Sequence, residues 1–263
     1  MTVPETSASK RIGVFDSGVG GLSVLREIHG HLPNIPTIYY ADQAHLPYGM
    51  RTPEDVRQLV DLAAEFLIAH GARVLVIACH TASAASLHDL RARHRDIPIV
   101  GMEPAVKPAA ERTQTGVIGV LTTRVTAQSE LYRKVVDRFA RGVQVITQPA
   151  PELVTMVEQG TQDTPEGEAI LRRYLAPLEA AHADYLVLAC THFPFLADKL
   201  QALTDIALID PGAAVARQVT RVLPADVVPA DAAHLYYTTG DPAQFQRSLN
   251  RLLGIDAPVQ QAL

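Results

Sequence analysis

Short aliphatic runs recur along this chain, and each is followed by a turn of small or polar residues and then by an amphipathic helical pattern. In the first half the runs cover residues 12–15, 38–41 and 74–78. The run 74–78 contains no polar residue, which is typical of a strand buried on both faces of a parallel sheet. Strands that alternate with helices predict an α/β fold. We therefore expect mostly parallel sheets flanked by helices.

The second half of the chain repeats this pattern at nearly equal intervals. Its mostly apolar runs cover residues 118–121, 143–146 and 185–189, and a helical pattern covers residues 127–139. A cysteine directly follows one buried run in each half, Cys79 in the first and Cys190 in the second. The matching intervals favour a duplicated α/β unit over coincidence. We expect two similar domains with the active site between them.

The boundary between these domains is predicted in the proline-bearing segment 101–108. A later aliphatic run, at 206–209, leads through Asp210-Pro211-Gly212 into another helical pattern. Such a crossover returns the chain to the first half, so we expect a discontinuous N-terminal domain of residues 1–104 plus 212–263. The second domain is then 105–211, and 263 residues suffice for both.

Composition excludes several other classes of protein. The formal net charge is −5, whereas nucleic-acid binders usually present a basic face. No apolar run reaches the roughly 20 residues that span a bilayer, and the segment from Met1 to Lys10 lacks the apolar centre of a signal peptide. Two cysteines are too few for a disulfide scaffold. We expect a cytoplasmic protein with free thiols that binds neither nucleic acid nor membrane.

Polar clusters fall where predicted strands end, and ligands of open α/β sheets collect at the carboxyl ends of strands. The clusters are Asp16-Ser17, Tyr48-Gly49, Cys79-His80-Thr81 and Cys190-Thr191-His192. Each cysteine lies between a strand and a turn, where a helix N-terminus favours thiolate over thiol. A pKa shifted toward neutrality would make such a thiol a general base. A single buried cysteine is more often a small hydrophobe, but two at matching points favour chemistry.

The first cluster allows a structural and a chemical interpretation. Asp16 is suited to capping the following helix, and equally to orienting or deprotonating a neighbouring thiol. Gly18, Gly20 and Gly21 would allow the backbone to approach an anionic substrate group closely. Their spacing differs from that of a dinucleotide-binding loop, so we expect no nucleotide site.

Three further side chains are possible participants. His192, two residues after Cys190, is the best acid or charge partner for a thiol. His80 is equally a ligand, a partner or a packed histidine. Glu103, between Met102 and Pro104, either assists catalysis or is an ordinary surface carboxylate.

At these residues the sequence resembles the glutamate racemase family of the aspartate/glutamate racemase superfamily. The resemblance runs along nearly the whole chain and rests on five segments. These are IGVFDSGVGGLSVL at 12–25, YYADQAHLPYG at 39–49, VIACHTASA at 76–84, GMEPAVKPA at 101–109 and VLACTHFPFL at 187–196.

The resemblance implies two α/β domains that enclose glutamate without pyridoxal phosphate, metal or nucleotide. One cysteine removes the α-proton and the other donates a proton to the opposite face. Matching positions make Cys79 and Cys190 these two thiols and Asp16 and His192 their supporting groups. The implied substrate-binding residues are Asp16, Ser17, Tyr48, Gly49, His80, Thr81, Thr191 and His192. The family forms homodimers and supplies D-glutamate for peptidoglycan.

The chain departs from the family at three of these motif positions. His80 stands where the family has Asn, and a histidine is larger than an amide and can carry charge. Ala189 and Phe193 replace Gly and Tyr, which are milder changes. These departures leave open a glutamate racemase with a variant pocket, a racemase with a related specificity such as aspartate, and a weakened enzyme.

Three other classes of protein are alternatives to a racemase. The cysteines with His80 and His192 make two sulfurs and two nitrogens, a set that zinc accepts, although adjacent Cys-His spacing suits one tetrahedral site poorly. A Cys/His hydrolase leaves the second cysteine unexplained. A non-catalytic interaction protein follows if His80 blocks the pocket.

Overall fold

The computed structural model describes residues 10–262, which form two parallel β-sheets flanked by helices. The segment Met1 to Lys10, used above to judge a signal peptide, lies outside the described residues except for Lys10. The strands are β1 Arg11–Asp16, β2 Thr37–Ala41, β3 Ala72–Ile77, β4 Ile99–Gly101, β5 Val117–Thr122, β6 Gln144–Pro149, β7 Tyr185–Ala189, β8 Ala207–Ile209, β9 Leu235–Thr238 and β10 Val259–Gln261.

Eleven α-helices and three short 3-10 helices connect the strands within this part of the chain. The α-helices are α1 Leu22–His31, α2 Pro53–Ala69, α3 His80–Arg93, α4 Val106–Arg112, α5 Arg124–Gln128, α6 Glu130–Phe139, α7 Pro151–Gln159, α8 Pro165–Ala180, α9 Ala197–Leu203, α10 Gly212–Val222 and α11 Pro242–Leu253. The 3-10 helices are Gln43–His45, Tyr48–Met50 and Phe193–Leu196. None of the described helices is long and apolar enough to cross a membrane.

The strand order is β10-β9-β2-β1-β3-β4 in the first sheet and β6-β5-β7-β8 in the second. Every neighbouring pair is parallel. The predicted α/β class, with parallel sheets between helices, is therefore confirmed. Strands β9 and β10 come from the end of the chain and extend the first sheet beside β2. The division into residues 1–104 plus 212–263 and 105–211 stays a prediction.

The two sheets share one apolar core. Its largest cluster joins Val14 of β1 to Leu188 of β7 and includes Leu153 of α7, all of them fully buried or nearly so. Because side chains from both sheets pack in one cluster, the edges where β1 and β7 end lie close together. Asp16 ends β1, and Cys190 follows directly after β7.

The structure divides one predicted helix in two. The pattern at 127–139 predicts a single helix, but α5 ends at Gln128 and α6 begins at Glu130. Ser129 lies between them in an extended conformation, and its Oγ accepts a hydrogen bond from the backbone N–H of Tyr132 at 3.1 Å. A serine cap of this kind starts a new helix, because its hydroxyl satisfies an N–H that would otherwise have no partner.

Two histidines, His29 of α1 and His234, lie against Thr37 at the start of β2. His29 Nε2 lies 3.1 Å from Thr37 Oγ1, which lies 2.9 Å from His234 Nδ1. Burial, and then the charge of His234, lowers the pKa of His29 to about 4. The unfolded chain, with an ordinary histidine pKa near 6.5, therefore binds more protons between these values.

We expect the free energy of unfolding to fall as the pH falls from about 6.5 toward 4. His29→Gln should reduce that loss by on the order of 1 to 2 kcal/mol. Urea unfolding of both proteins at pH 7 and pH 4.5 measures it. His88→Gln, at an almost fully exposed position, is the control and should leave the pH dependence unchanged. An equal loss of unfolding free energy between pH 7 and pH 4.5 in wild type and His29→Gln would contradict the proposed role of His29.

Candidate active site

A cavity of about 310 Å³ lies where the carboxyl ends of the strands of both sheets meet. This volume is at the small end of the roughly 300–1,000 Å³ that is usual for ligand sites. The cavity brings together nine of the ten residues predicted for the site. These nine are Ser17, Tyr48, Gly49, Cys79, His80, Thr81, Cys190, Thr191 and His192. The tenth, Asp16, is fully buried behind the lining.

The first cysteine sits at the start of α3. Cys79 is the N-cap residue, and its Sγ accepts a hydrogen bond from the backbone N–H of Ala82 at 3.5 Å. Ser17 Oγ lies 3.7 Å from the same sulfur. Cys79 is only 6% exposed, and burial, with the charge of Asp16 next, raises its pKa to about 12. The expected shift toward neutrality is therefore wrong for Cys79, because burial outweighs the helix terminus.

The second cysteine lines the same cavity with a different polar partner. Cys190 is 5% exposed, and its Sγ lies 3.7 Å from His192 Nδ1. His192 Nε2 donates a hydrogen bond to Glu158 Oε1 at 2.7 Å. Burial alone lowers the pKa of His192, but the bonds with Cys190 and Glu158 outweigh it and hold the pKa well above its ordinary value.

Glu158 is a buried carboxylate of the site that the sequence analysis did not identify. It lies in the last turn of α7 and accepts hydrogen bonds from the backbone N–H of Val19 at 2.9 Å and from Gln43 Nε2 at 3.2 Å. Burial raises its pKa, but the bond with His192 prevails and the net shift is downward. Opposite shifts in the two partners indicate an imidazolium–carboxylate pair. A glutamate near a helix end carries no motif, so only tertiary packing shows its place.

Asp16 links the first sheet to the second cysteine's loop. Its Oδ1 accepts from the backbone N–H of Gly18 at 2.8 Å, and its Oδ2 accepts from Thr191 Oγ1 at 3.0 Å. Burial raises the pKa of Asp16 to about 6, although the charge of His192 opposes the shift. Asp16 therefore holds the turn after β1, holds Thr191, and acts on Cys79 through its charge.

The glycines after Asp16 make room for side chains of the protein. A Cβ at Gly20 would lie 2.5 Å from His192 Nδ1, and one at Gly21 would lie 2.6 Å from Asp16 Cβ. A Cβ at Gly18 would lie 2.2 Å from Glu158 Oε1. That these glycines also approach an anionic substrate group stays a prediction. Their small size admits the Glu158–His192 pair.

Gly20→Ala is therefore expected to displace His192 and to lower kcat/KM about tenfold, because small misplacements of reacting groups are costly. Steady-state kinetics measure the effect. Gly30→Ala is the matched control, since a Cβ there meets nothing within 4 Å and alanine favours a helix. Unchanged kinetics for Gly20→Ala, with a normal melting temperature, would show that the imidazole position does not matter.

His80 occupies the cavity wall in an unusual state. It is 3% exposed, and in the described part of the chain neither ring nitrogen has a hydrogen-bond partner. Burial lowers its pKa to about 3, so the ring is neutral at physiological pH. A neutral imidazole has one N–H donor and one acceptor nitrogen, and buried polar groups normally find partners. The ring lines the cavity, but both of its nitrogens are buried within the cavity wall.

Hydroxyl groups close the remaining walls. Thr81 Oγ1 lies 2.9 Å from Thr123 Oγ1. This contact joins the side of the cavity formed by the first sheet to the side formed by the second sheet. Tyr48 OH donates to Asp42 Oδ2 at 2.5 Å, so a buried carboxylate fixes the phenol. Neither Thr123 nor Asp42 was identified from the sequence. Thr123 meets Thr81 from a distant segment, and Asp42 accepts a hydrogen bond from the distant Thr239 as well as from the nearby Tyr48.

Two other expectations from the sequence concern the role of Glu103 and a metal site shared by the cysteines and histidines. Glu103 is exposed and does not line the cavity, which favours its interpretation as a surface carboxylate. Across residues 10–262 no group of three or more His, Cys, Asp or Glu side chains is arranged to hold a metal ion.

Comparison with known proteins identifies the class to which this fold and site belong. The profile of the family described as Asp/Glu/Hydantoin racemase matches residues 12–219. The glutamate racemase of Ectopseudomonas mendocina is 49% identical over 254 residues, covering 94% of this chain and 96% of the relative. That of Pseudomonas aeruginosa is 47% identical, with coverages of 94% and 95%.

Solved structures agree with the sequence comparison. The Escherichia coli glutamate racemase in complex with L-glutamate and the activator UDP-MurNAc-ala has a TM-score of 0.86 and 31% identity, covering 97% of this chain and 98% of that one. The Francisella tularensis enzyme in complex with D-glutamate has a TM-score of 0.84 and 25% identity, with the same coverages.

The fold consists of two parallel sheets, and two thiols line the cavity where their strands end. Together with the family profile that matches residues 12–219, these features define an amino-acid racemase of the Asp/Glu/Hydantoin class, which is an isomerase. At 49% and 47% identity over almost their whole length, the chain belongs to the glutamate racemase family.

Proposed function

We propose that this chain interconverts L- and D-glutamate by two-base proton transfer between Cys79 and Cys190, without a cofactor. One observation carries the proposal. The chain has two cysteines, and both line one small cavity, each with its own polar partners. Relatives named for this activity, and solved relatives that hold L-glutamate or D-glutamate, support glutamate as the substrate.

Inversion at a carbon needs a base on one face and an acid on the other. In one direction the thiolate of one cysteine takes the α-proton and becomes a thiol, while the thiol of the other gives its proton to the opposite face and becomes a thiolate. The reverse direction exchanges these roles. The α-carbon gains one proton for the one that it loses, so the reaction is balanced.

Each thiol has a separate route for its proton in this scheme. His192 Nδ1, 3.7 Å from Cys190 Sγ, is placed to exchange a proton with that sulfur, and Glu158 holds the imidazolium form. At Cys79 burial and the Asp16 charge hold the pKa near 12, so the resting group is a thiol. We propose that the substrate's ammonium group, once bound, favours the Cys79 thiolate that the reaction requires.

The remaining lining groups bind and orient the amino acid. Ser17, Thr81 and Thr191 offer hydroxyl groups to the carboxylates, as oriented donors do at sites where negative charge develops. The neutral ring of His80 offers one donor and one acceptor once it turns toward the bound amino acid. Tyr48 and Gly49 form the part of the wall that packs against the start of α5, where Gly49 lies beside Thr123. Asp16 acts behind the lining through Thr191 and through its charge.

A racemase with related specificity, such as aspartate, is the second possibility, and the histidine at position 80 is the observation that favours it. Histidine is larger than the family's asparagine and changes the shape of the wall beside Cys79. The same experiment distinguishes the two activities.

The test incubates the purified protein with L-glutamate, D-glutamate and both aspartate enantiomers in D₂O, following the α-proton signal and optical rotation together. We expect both glutamate enantiomers to lose the α-proton signal and converge on zero rotation. Convergence with aspartate alone would support the second activity. Retention of the α-proton in all four compounds would sink the racemase assignment and favour a binding protein.

Several parts of the initial interpretation stay predictions. They are the homodimer, the cytoplasmic location, the role in supplying D-glutamate for peptidoglycan, and the two discontinuous domains. The homodimer and the role in peptidoglycan supply follow from the family resemblance, the two discontinuous domains from the order of elements along the chain, and the cytoplasmic location from the composition of the sequence.

A further inference from the structure

The C-terminal end of α7 is attached to the first sheet's side of the molecule. Helix α7 follows β6 of the second sheet, yet its last turn contacts three residues from elsewhere. The backbone N–H of Val19 and Gln43 Nε2 donate to the Glu158 carboxylate, and Arg251 donates to the backbone of the same turn. The last turn of α7 therefore connects the two sheets through hydrogen bonds.

Arg251 lies near the end of α11, which connects β9 and β10 of the first sheet. Its Nη2 donates to the carbonyl oxygen of Val157 at 2.7 Å and lies 3.4 Å from that of Glu158. The last carbonyls of a helix have no partner within the helix, and a cation there is also favoured by the helix dipole. The guanidinium thus caps α7 from another part of the fold.

Gly160 shows that the chain makes room for this contact. It ends α7 in the left-handed conformation, with a φ of +71°. A Cβ at this position would lie only 1.7 Å from Arg251 Nη1. The glycine is required both by its backbone conformation and by the guanidinium packed against it.

We propose that Arg251 is a positioning residue for proton transfer, which fixes the end of α7 so that Glu158 stays against His192. This inference rests on the proposed function. The connection runs from the guanidinium to the backbone at Val157, along one residue to the Glu158 carboxylate, and over 2.7 Å to His192 Nε2. His192 in turn faces Cys190.

The expected effect is on turnover and not on substrate affinity. Arg251 does not line the cavity, so its removal leaves the groups that contact glutamate in place. Releasing the end of α7 lets the carboxylate move away from the imidazole, and a displacement of about 1 Å at a reacting group costs up to about 100-fold in rate. We expect Arg251→Met to lower kcat about tenfold and to change KM less than twofold.

The experiment compares Arg251→Met, Arg251→Gln and Arg251→Lys with wild type for both enantiomers, and records melting temperatures. Lysine, which can still donate to the helix carbonyls, should restore kcat to within about threefold of wild type. Arg247→Met is the matched control, because Arg247 is exposed on the same helix and shows no hydrogen bond or ion pair within residues 10–262. It should leave kcat unchanged.

A second arm asks whether Arg251 acts through Glu158. Glu158→Gln should be slow on its own, and adding Arg251→Met to it should lower kcat by less than twofold further, since coupled residues are not additive. The kcat–pH profile should also shift alike in Arg251→Met and Glu158→Gln, an effect that mere loss of stability does not produce.

Three outcomes would overturn the proposal. The first is a kcat within twofold of wild type for both Arg251→Met and Arg251→Gln when these variants are folded. The second is a full tenfold further loss of kcat when Arg251→Met is added to Glu158→Gln. The third is an equal loss of kcat in Arg251→Lys and Arg251→Met. A wild-type protein that does not racemise glutamate would instead refute the proposed function, so the two failures are distinguishable.

Discussion

Replacing either cysteine by serine should lower kcat for glutamate racemisation by at least about 100-fold, the lower end of what a positioned acid or base contributes. A serine hydroxyl keeps the shape of the side chain but is a far weaker acid than a thiol. Because inversion needs both faces, Cys79→Ser and Cys190→Ser should fail alike in net racemisation. Their folding should be unaffected, since the replacement removes no bulky group from the core.

Exchange of the α-proton should separate the two variants. With one thiol left, the protein can still remove the proton on that side and return deuterium to the same face, so one enantiomer exchanges without inverting. Cys79→Ser and Cys190→Ser should therefore exchange opposite enantiomers in D₂O, as shown by the α-proton signal at constant optical rotation. Ser83→Ala, at a buried position outside the cavity lining, is a control for general disturbance. Full racemisation by either cysteine variant would refute the two-base scheme.

The sequence predicted the fold well where strands are continuous and aliphatic. The run before Cys79 and the run before Cys190 are strands, and both belong to parallel sheets. Prediction was poorer where short-range interactions decide the structure. The break at Ser129 depends on one hydroxyl that bonds the next helix's N–H, and a helical hydrophobic pattern continues across it.

The site could be predicted in composition but not in its electrostatics. Nine residues of the lining follow strand ends or family motifs, so the sequence identifies them. Glu158 belongs to no motif, and its role arises only because α7 brings it against His192. The pKa of Cys79 could not be judged from its place before a helix, since burial exceeds the effect of the helix N-terminus.

These two limits have different physical causes. The break at Ser129 is a local cap, and the hydrophobic pattern of the neighbouring residues hides it because that pattern continues across the break. Burial and ion pairing are decided by segments far along the chain, as where residue 158 meets residue 192 and residue 251 meets residue 157. Directions of pKa shifts therefore follow only after the fold is known.

His80 gives the second large effect expected of a single substitution. We expect His80→Leu to lower kcat/KM for glutamate about 10- to 100-fold, because it removes the donor and the acceptor that the ring can turn toward the substrate while keeping much of the volume, and hydrogen bonds to charged groups contribute about 1.5–3 kcal/mol each. His80→Asn should stay within about threefold of wild type, since an amide also offers a donor and an acceptor.

Stability should move in the opposite direction from activity. Within residues 10–262 the two ring nitrogens of His80 are buried without partners, so leucine removes a desolvation penalty of about 1 to 3 kcal/mol. His80→Leu is therefore expected to have the higher melting temperature and the lower kcat/KM, a combination that damage to the fold does not produce. Kinetics with both enantiomers and thermal unfolding of the free proteins measure the two effects together. If His80→Leu instead keeps wild-type kcat/KM, the ring only fills space, and the donor and acceptor nitrogens have no part in holding the amino acid.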